Sequence, residues 1–149
     1  MKRRSRIPFT IGTVLWVAVI WGQSLAPAEL SSQESGAVFS FLSSLLSAVS
    51  VALPLTEAIV RKFAHFAEYF VLGLLLTGAV TRGKLRQWFF RLAFLTLLIP
   101  FADETIQLFS DGRSGAIQDV WLDLAGCCTG TVLFLLIRAV ILHKKARGR

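Results

Sequence analysis

The stretch from Ile7 to Leu25 holds no charged residue, and its only strongly polar groups, Gln23 and Ser24, come at the end. Such a run constrains the fold more than anything else in the chain. A helix needs about 20 residues to cross a hydrocarbon layer of roughly 30 Å, and in water a face this apolar would need covering on every side. Three more apolar stretches follow, from about Glu57 to Val80, Trp88 to Leu108 and Ala116 to Leu142. With 149 residues, 54% of them hydrophobic, the chain has room for four spans with short connections and for little else. The sequence therefore predicts an all-α membrane protein, a four-transmembrane-helix bundle forming a single domain over residues 1–149.

The basic residues orient this bundle. Thirteen of the 16 fall in three clusters beside apolar runs: Lys2, Arg3, Arg4 and Arg6; Arg82, Lys84, Arg86 and Arg91; Arg138, Lys144, Lys145, Arg147 and Arg149. If four spans alternate from a cytoplasmic N-terminus, all thirteen lie inside, and only Arg61, Lys62 and Arg113 lie outside. The excess of Lys and Arg on cytoplasmic flanks then predicts an N-in/C-in topology. All nine acids go to the outer side: Glu29, Glu34, Glu57, Glu68, Asp103, Glu104, Asp111, Asp119 and Asp123. Clusters flanking spans report orientation and attraction to anionic lipid, so the net charge of +7 is not read as nucleic-acid binding.

Two segments have competing readings. Basic residues, an apolar run and Ala26-Pro27-Ala28 resemble a cleavable signal peptide, but the run exceeds the usual h-region and predicts a retained first span. Ser31-Ser32-Gln33-Glu34 has capping-box spacing, so a helix is expected to begin there. Val38, Phe41, Leu42, Leu45, Leu46 and Val49 follow at helical spacing, with Ser43, Ser44 and Ser47 off the stripe. This reads as an amphipathic helix between spans one and two, on the outer surface and stopped by Pro54. The alternative, a fifth span from Ala37 to Leu55, would carry Arg82, Lys84, Arg86 and Arg91 outside.

Helical spacing gathers the polar residues. Arg61, His65, Glu68 and Leu72 share one face of span two, with Tyr69 at its border. Asp103 and Gln107 share a face of span three, beyond an expected kink at Pro100, with Glu104 to one side. Asp119, Asp123, Gly126 and Gly130 share a face of span four, where G-x-x-x-G permits close helix approach. Ionisable groups within spans are costly unless paired or facing an interior, and they default to a functional site. The expected ligand-binding set is Arg61, His65, Glu68, Tyr69, Asp103, Glu104, Gln107, Arg113, Asp119 and Asp123.

The simpler reading is a staple of helix ends, through pairs such as Arg61 with Asp119 or Arg113 with Asp103; Lys62 then only snorkels. His65 and Glu68 form an H-x-x-E pair that Asp103, Glu104 and Asp119 would have to complete as a metal shell. The nearby cations argue for an ion-paired site, and no metal or cofactor is assigned. His65 beside Glu68 or Glu104 is the candidate acid–base couple for catalysis. No Ser or Cys nucleophile is marked by spacing. Adjacent Cys127 and Cys128 lie in an apolar run and read as packing.

At these residues the sequence resembles the VanZ-like family. The likeness runs through Trp21, Ser24 and Pro27, then the segment from Arg61 to Phe70 with Leu72-Gly73. It continues through Asp103-Glu104, Gln107, Phe109 and Arg113, and ends on Asp119-Val120 with Gly126 and Gly130. It would cover about residues 10–140. Two departures stand out: Asp123 where the family commonly has Asn, and Asp111-Gly112 where it often has Pro-Gly. The resemblance implies a multi-pass protein of the bacterial cytoplasmic (inner) membrane with a link to the cell envelope. The family's namesake is associated with low-level resistance to the glycopeptide teicoplanin. Beyond the bilayer itself, the implied partner is a lipid-linked envelope precursor, a lipid headgroup or a glycopeptide. Two alternatives to binding are an enzyme acting on a lipid or glycan at the outer leaflet and a structural or transport component.

Overall fold

The computed structural model describes residues 6–48, 56–81, 84–113 and 117–148. Within them the chain is all-helical: α1 (Ile7–Ser24), α2 (Ala28–Ala48), α3 (Glu57–Val80), α4 (Leu85–Gln107) and α5 (Ile117–Arg147). Three of these, α1, α3 and α5, are long and apolar enough to cross a membrane. Helix α4, expected as the third span, reaches about 34 Å at 1.5 Å per residue. It carries Arg86 and Arg91 near one end and Asp103 and Glu104 near the other, so its apolar part is shorter than its length.

Local chemistry explains most of the boundaries. The Thr56 side chain accepts the Ile59 N–H at 3.3 Å and caps α3, which begins and ends where the apolar pattern predicts. Pro8 occupies the first turn of α1, where a missing N–H costs nothing. Helix α2 starts earlier than the capping box at Ser31 suggests. The Pro27 carbonyl accepts from Leu30 and Ser31, so the first turn closes directly after the proline. The Ala28 N–H is taken by the Asp111 carbonyl, which ties this turn to the loop after α4. Helix α5 runs past Leu142 to Arg147, because Lys, Arg and Ala sustain a helix in water and cations suit its C-terminal end. Helix α4 continues through Pro100. The expected stop of α2 at Pro54 lies outside the described residues.

Helix α3 is the centre of the bundle. It runs parallel to α5, since Phe66 meets Gly126 and Phe70 meets Gly130. It runs antiparallel to α1, since Gly12 meets Leu75 and Gly78 meets Phe9. A Cβ on Gly126 would stand 2.5 Å from the Phe66 carbonyl oxygen, and one on Gly130 would strike the Phe70 carbonyl. The G-x-x-x-G approach predicted from sequence therefore exists, and its partner is α3. Gly73 mirrors it from α3, where a Cβ would strike the backbone of Cys127. This closeness brings the Thr77 and Thr131 hydroxyls to 2.9 Å, where Thr77 Oγ1, its own proton given to the Gly73 carbonyl at 2.7 Å, accepts from Thr131. Ile20, Tyr69, Leu72, Leu76, Leu92, Ile99 and Cys127 form the buried core.

These directions put the loop before α2, the start of α3, the end of α4 and the start of α5 at one end of the bundle. Arg6, Lys84, Arg86 and the basic tail of α5 collect at the other. Helix α2 meets the first end, with Gly36 against the Glu57 carboxylate. Val38 and Phe41, from its apolar stripe, are exposed and turn away from the bundle.

Candidate functional site

Four helices and a loop enclose a cavity of about 260 Å³ at the end that holds Ser24 and Gln107. Helix α2 contributes Ala28 and Ser31, and α3 contributes Arg61, Lys62 and His65. Gln107 closes it from α4, Gly112 and Arg113 from the following loop, and Asp119 and Leu122 from α5. Gly112 has φ of +72°, a left-handed turn that glycine adopts without cost, and it brings Arg113 back towards the helices.

Among the described residues, three cations therefore face a single carboxylate across this cavity. Lys62 Nζ and Asp119 Oδ1 are 3.9 Å apart, and both side chains are accessible to solvent, so the pair contributes little to stability. His65 is half-buried, with Nδ1 3.8 Å from Glu68 Oε2, beyond hydrogen-bond reach. Arg61, Arg113, Asp103 and Asp119 all act electrostatically on this imidazole.

A second layer is buried beneath. Ser24 Oγ donates to Asp103 Oδ1 at 2.6 Å, and Gln107 Nε2 donates to Asp103 Oδ2 at 3.3 Å. Ser110 Oγ donates to the Ser24 carbonyl at 2.7 Å, which fastens the loop after α4 to the end of α1. The Tyr69 phenol lies beside Asp103 and Asp123. Among the described residues, both Asp123 carboxylate oxygens are buried without a hydrogen-bond partner.

The expected site residues thus separate into two layers. Arg61, His65, Gln107, Arg113 and Asp119 line the cavity. Tyr69, Asp103, Glu104 and Asp123 are buried, and Glu68 is half-buried beside His65. The pairing differs from the staple drawn on the sequence. Asp119 pairs with Lys62 rather than Arg61, because the first turn of α5 faces that side of α3. Asp103 is held by Ser24 and Gln107 instead of Arg113, because it points inward to α1. Lys62 lines the cavity as well. No three of His, Cys, Asp and Glu converge on a common point among the described residues, as a metal shell of those ligands would require. Sequence reasoning left Ser24 and Ser31 out of the site. Their signal was a hydroxyl at the end of an apolar run and another just beyond Pro27.

Residues 9–138 match the family described as VanZ/LLP1. The chain belongs to the VanZ/LLP1 family. The match takes in α1 through most of α5 and every residue of the cavity, so both layers lie within the family's shared region. No match was found among curated proteins or solved structures.

Asp123 makes a direct prediction. Its side chain is 1% exposed, and the acids Asp103, Glu104, Asp119 and Glu68 all act on it electrostatically. Asp123→Asn keeps the volume and removes both the desolvation penalty of a buried carboxylate and the repulsion from these acids. Thermal unfolding in detergent is expected to shift upward, by roughly 2–4 °C for each kcal/mol relieved. A fall in Tm would contradict this account of Asp123.

Proposed function

We propose that this chain crosses the bacterial inner membrane four times, with both ends in the cytoplasm, and binds the phosphate-bearing headgroup of an envelope lipid at its outer end. The observation that carries the reading is the cavity wall, where, among the described residues, Arg61, Lys62 and Arg113 oppose the one carboxylate of Asp119. A concave site with surplus cations and forked guanidinium donors favours phosphate oxygens. The volume limits the ligand. Pockets for drug-sized molecules run to about 300–1,000 Å³, so some 260 Å³ suits a headgroup and is too small for a whole glycopeptide.

Support for α4 as a fourth span comes from its outer surface. Phe89, Phe90, Phe94, Leu97 and Phe101 are all exposed along it, a stripe suited to lipid tails. The segregation of basic groups to one end of the bundle supports the orientation. The exposed Val38 and Phe41 of α2 suit a helix lying in the outer interface. Of the three catalytic candidates, His65 alone lines the cavity, which favours binding over catalysis.

Topology is tested by cysteine labelling of intact cells in a Cys127→Ser, Cys128→Ser background. A membrane-impermeant maleimide is expected to label Leu30→Cys and to spare Lys84→Cys; labelling at 84 from outside overturns the orientation. Binding is tested with inorganic phosphate on the full chain in nanodiscs of zwitterionic lipid. Saturable binding that weakens with added salt is expected. Its absence would sink the anion reading.

A further inference from the structure

Gln107 touches both layers. Its side chain lines the cavity, and its Nε2 points into the buried network, 3.3 Å from Asp103 Oδ2 and 3.5 Å from Ser24 Oγ. The hydrogen-bonding inventory leaves this amide one orientation. Ser24 has a single hydroxyl proton and gives it to Asp103 Oδ1 at 2.6 Å. Asp103 accepts on both oxygens. A flipped amide would set its carbonyl oxygen against the Asp103 carboxylate, lone pairs against lone pairs, and would leave the Asp103 Oδ2 bond unmade. The network is shielded from bulk solvent: Ser24 is 2% exposed and Asp103 0%. Water therefore does little to soften that mismatch.

With Nε2 committed downward, Oε1 is the amide atom left for the cavity. We infer that the Ser24–Asp103 pair positions Gln107 so that its carbonyl oxygen faces the cavity and selects phosphate compounds with a hydroxyl or N–H donor beside the phosphate. This rests on the anion reading and deepens it. The cations hold the phosphate in any such compound. Gln107 adds a requirement that the neighbouring group donate a hydrogen bond, as a glycerol or sugar hydroxyl does and an alkyl chain does not. Gln107 is then a specificity-determining residue, and Asp103 and Ser24 are positioning residues behind it.

Two probes of equal charge isolate the effect: ethyl phosphate and 2-hydroxyethyl phosphate, titrated into the full chain in nanodiscs beside inorganic phosphate. The hydroxylated probe is expected to bind roughly three- to tenfold more tightly, the range a single net hydrogen bond provides. In Gln107→Met the ratio is expected to fall to about one. In Asp103→Asn, where the side-chain amide can meet Gln107 in either orientation, the ratio is expected to fall as well. If Asp103→Asn does not fold, Gln107→Met still decides. Equal binding of the two probes by the unmodified chain, with inorganic phosphate binding intact, overturns this inference and leaves the anion reading standing. A ratio retained in Gln107→Met assigns the preference to another acceptor, such as Asp119, and also overturns it. No binding of any of the three probes overturns both.

Discussion

Gly130→Leu is expected to unseat α5 from α3 and to cost about 3 kcal/mol or more of stability, the upper end for forcing bulk into a packed interface. The clash is with backbone: the new Cβ would meet the Phe70 carbonyl, which belongs to α3's own hydrogen-bond ladder and has no rotamer to adopt. Moving α5 outward would also part Thr77 from Thr131 and open the packing of Gly73 against Cys127. In lipid, helix association depends on such close packing, since the apolar surface released is as comfortable in the bilayer as in the bundle. Gly22→Leu is the control, because nothing lies within 4 Å of a Cβ there. Unfolding followed in mixed micelles of increasing denaturing detergent should show Gly130→Leu unfolding far earlier and Gly22→Leu close to the unmodified protein. Similar curves for the two variants would refute the assigned α3–α5 contact.

The second large effect is on binding. Arg61→Ala and Arg113→Ala are each expected to weaken inorganic phosphate binding about tenfold or more, since hydrogen bonds to charged groups contribute roughly 1.5–3 kcal/mol. The double variant is expected to abolish binding at moderate salt. Both arginines line the cavity at accessible positions, so folding should persist and Tm should change little. Lys144→Ala, at the exposed basic end of α5, is expected to leave binding unchanged. Equal affinity in the two arginine variants and the parent would remove the basis for a phosphate site in this cavity.

The two variants probe features with different visibility in the sequence. Gly126 and Gly130 announce a close approach by their spacing on one helix face, but spacing does not say which helix approaches. Arg61, His65 and Asp119 were legible as members of polar stripes at one end of their helices. Which of them shares a cavity, and which acids lie beneath it, was not. Periodicity gives the angle of a residue about its own axis. It does not give the height and rotation at which two axes meet, and a few ångströms decide between Arg61 and Lys62 as the partner of Asp119. Ser24, part of the family likeness, stayed out of the expected site for a related reason. One hydroxyl at the end of an apolar run resembles any helix terminus until Asp103, 79 residues away, is seen to accept its proton.

By itself the sequence determined the helical class, the extent of α1 and α3, the separation of basic and acidic ends, and the polar end as the place to look. These follow from properties local to each segment: apolar length, a Thr56 cap, a 3.6-residue period and the position of charges beside runs. Only the tertiary structure decided that α3 and α5 touch backbone to backbone, that α4 packs against α1, α3 and α5, and that the polar set divides into a cationic wall and a buried acidic floor. Those depend on how four helices fit together, and that fit is governed by the glycine notches, by the loop tied to Ala28 and Ser24, and by the need of each buried donor for an acceptor on another helix.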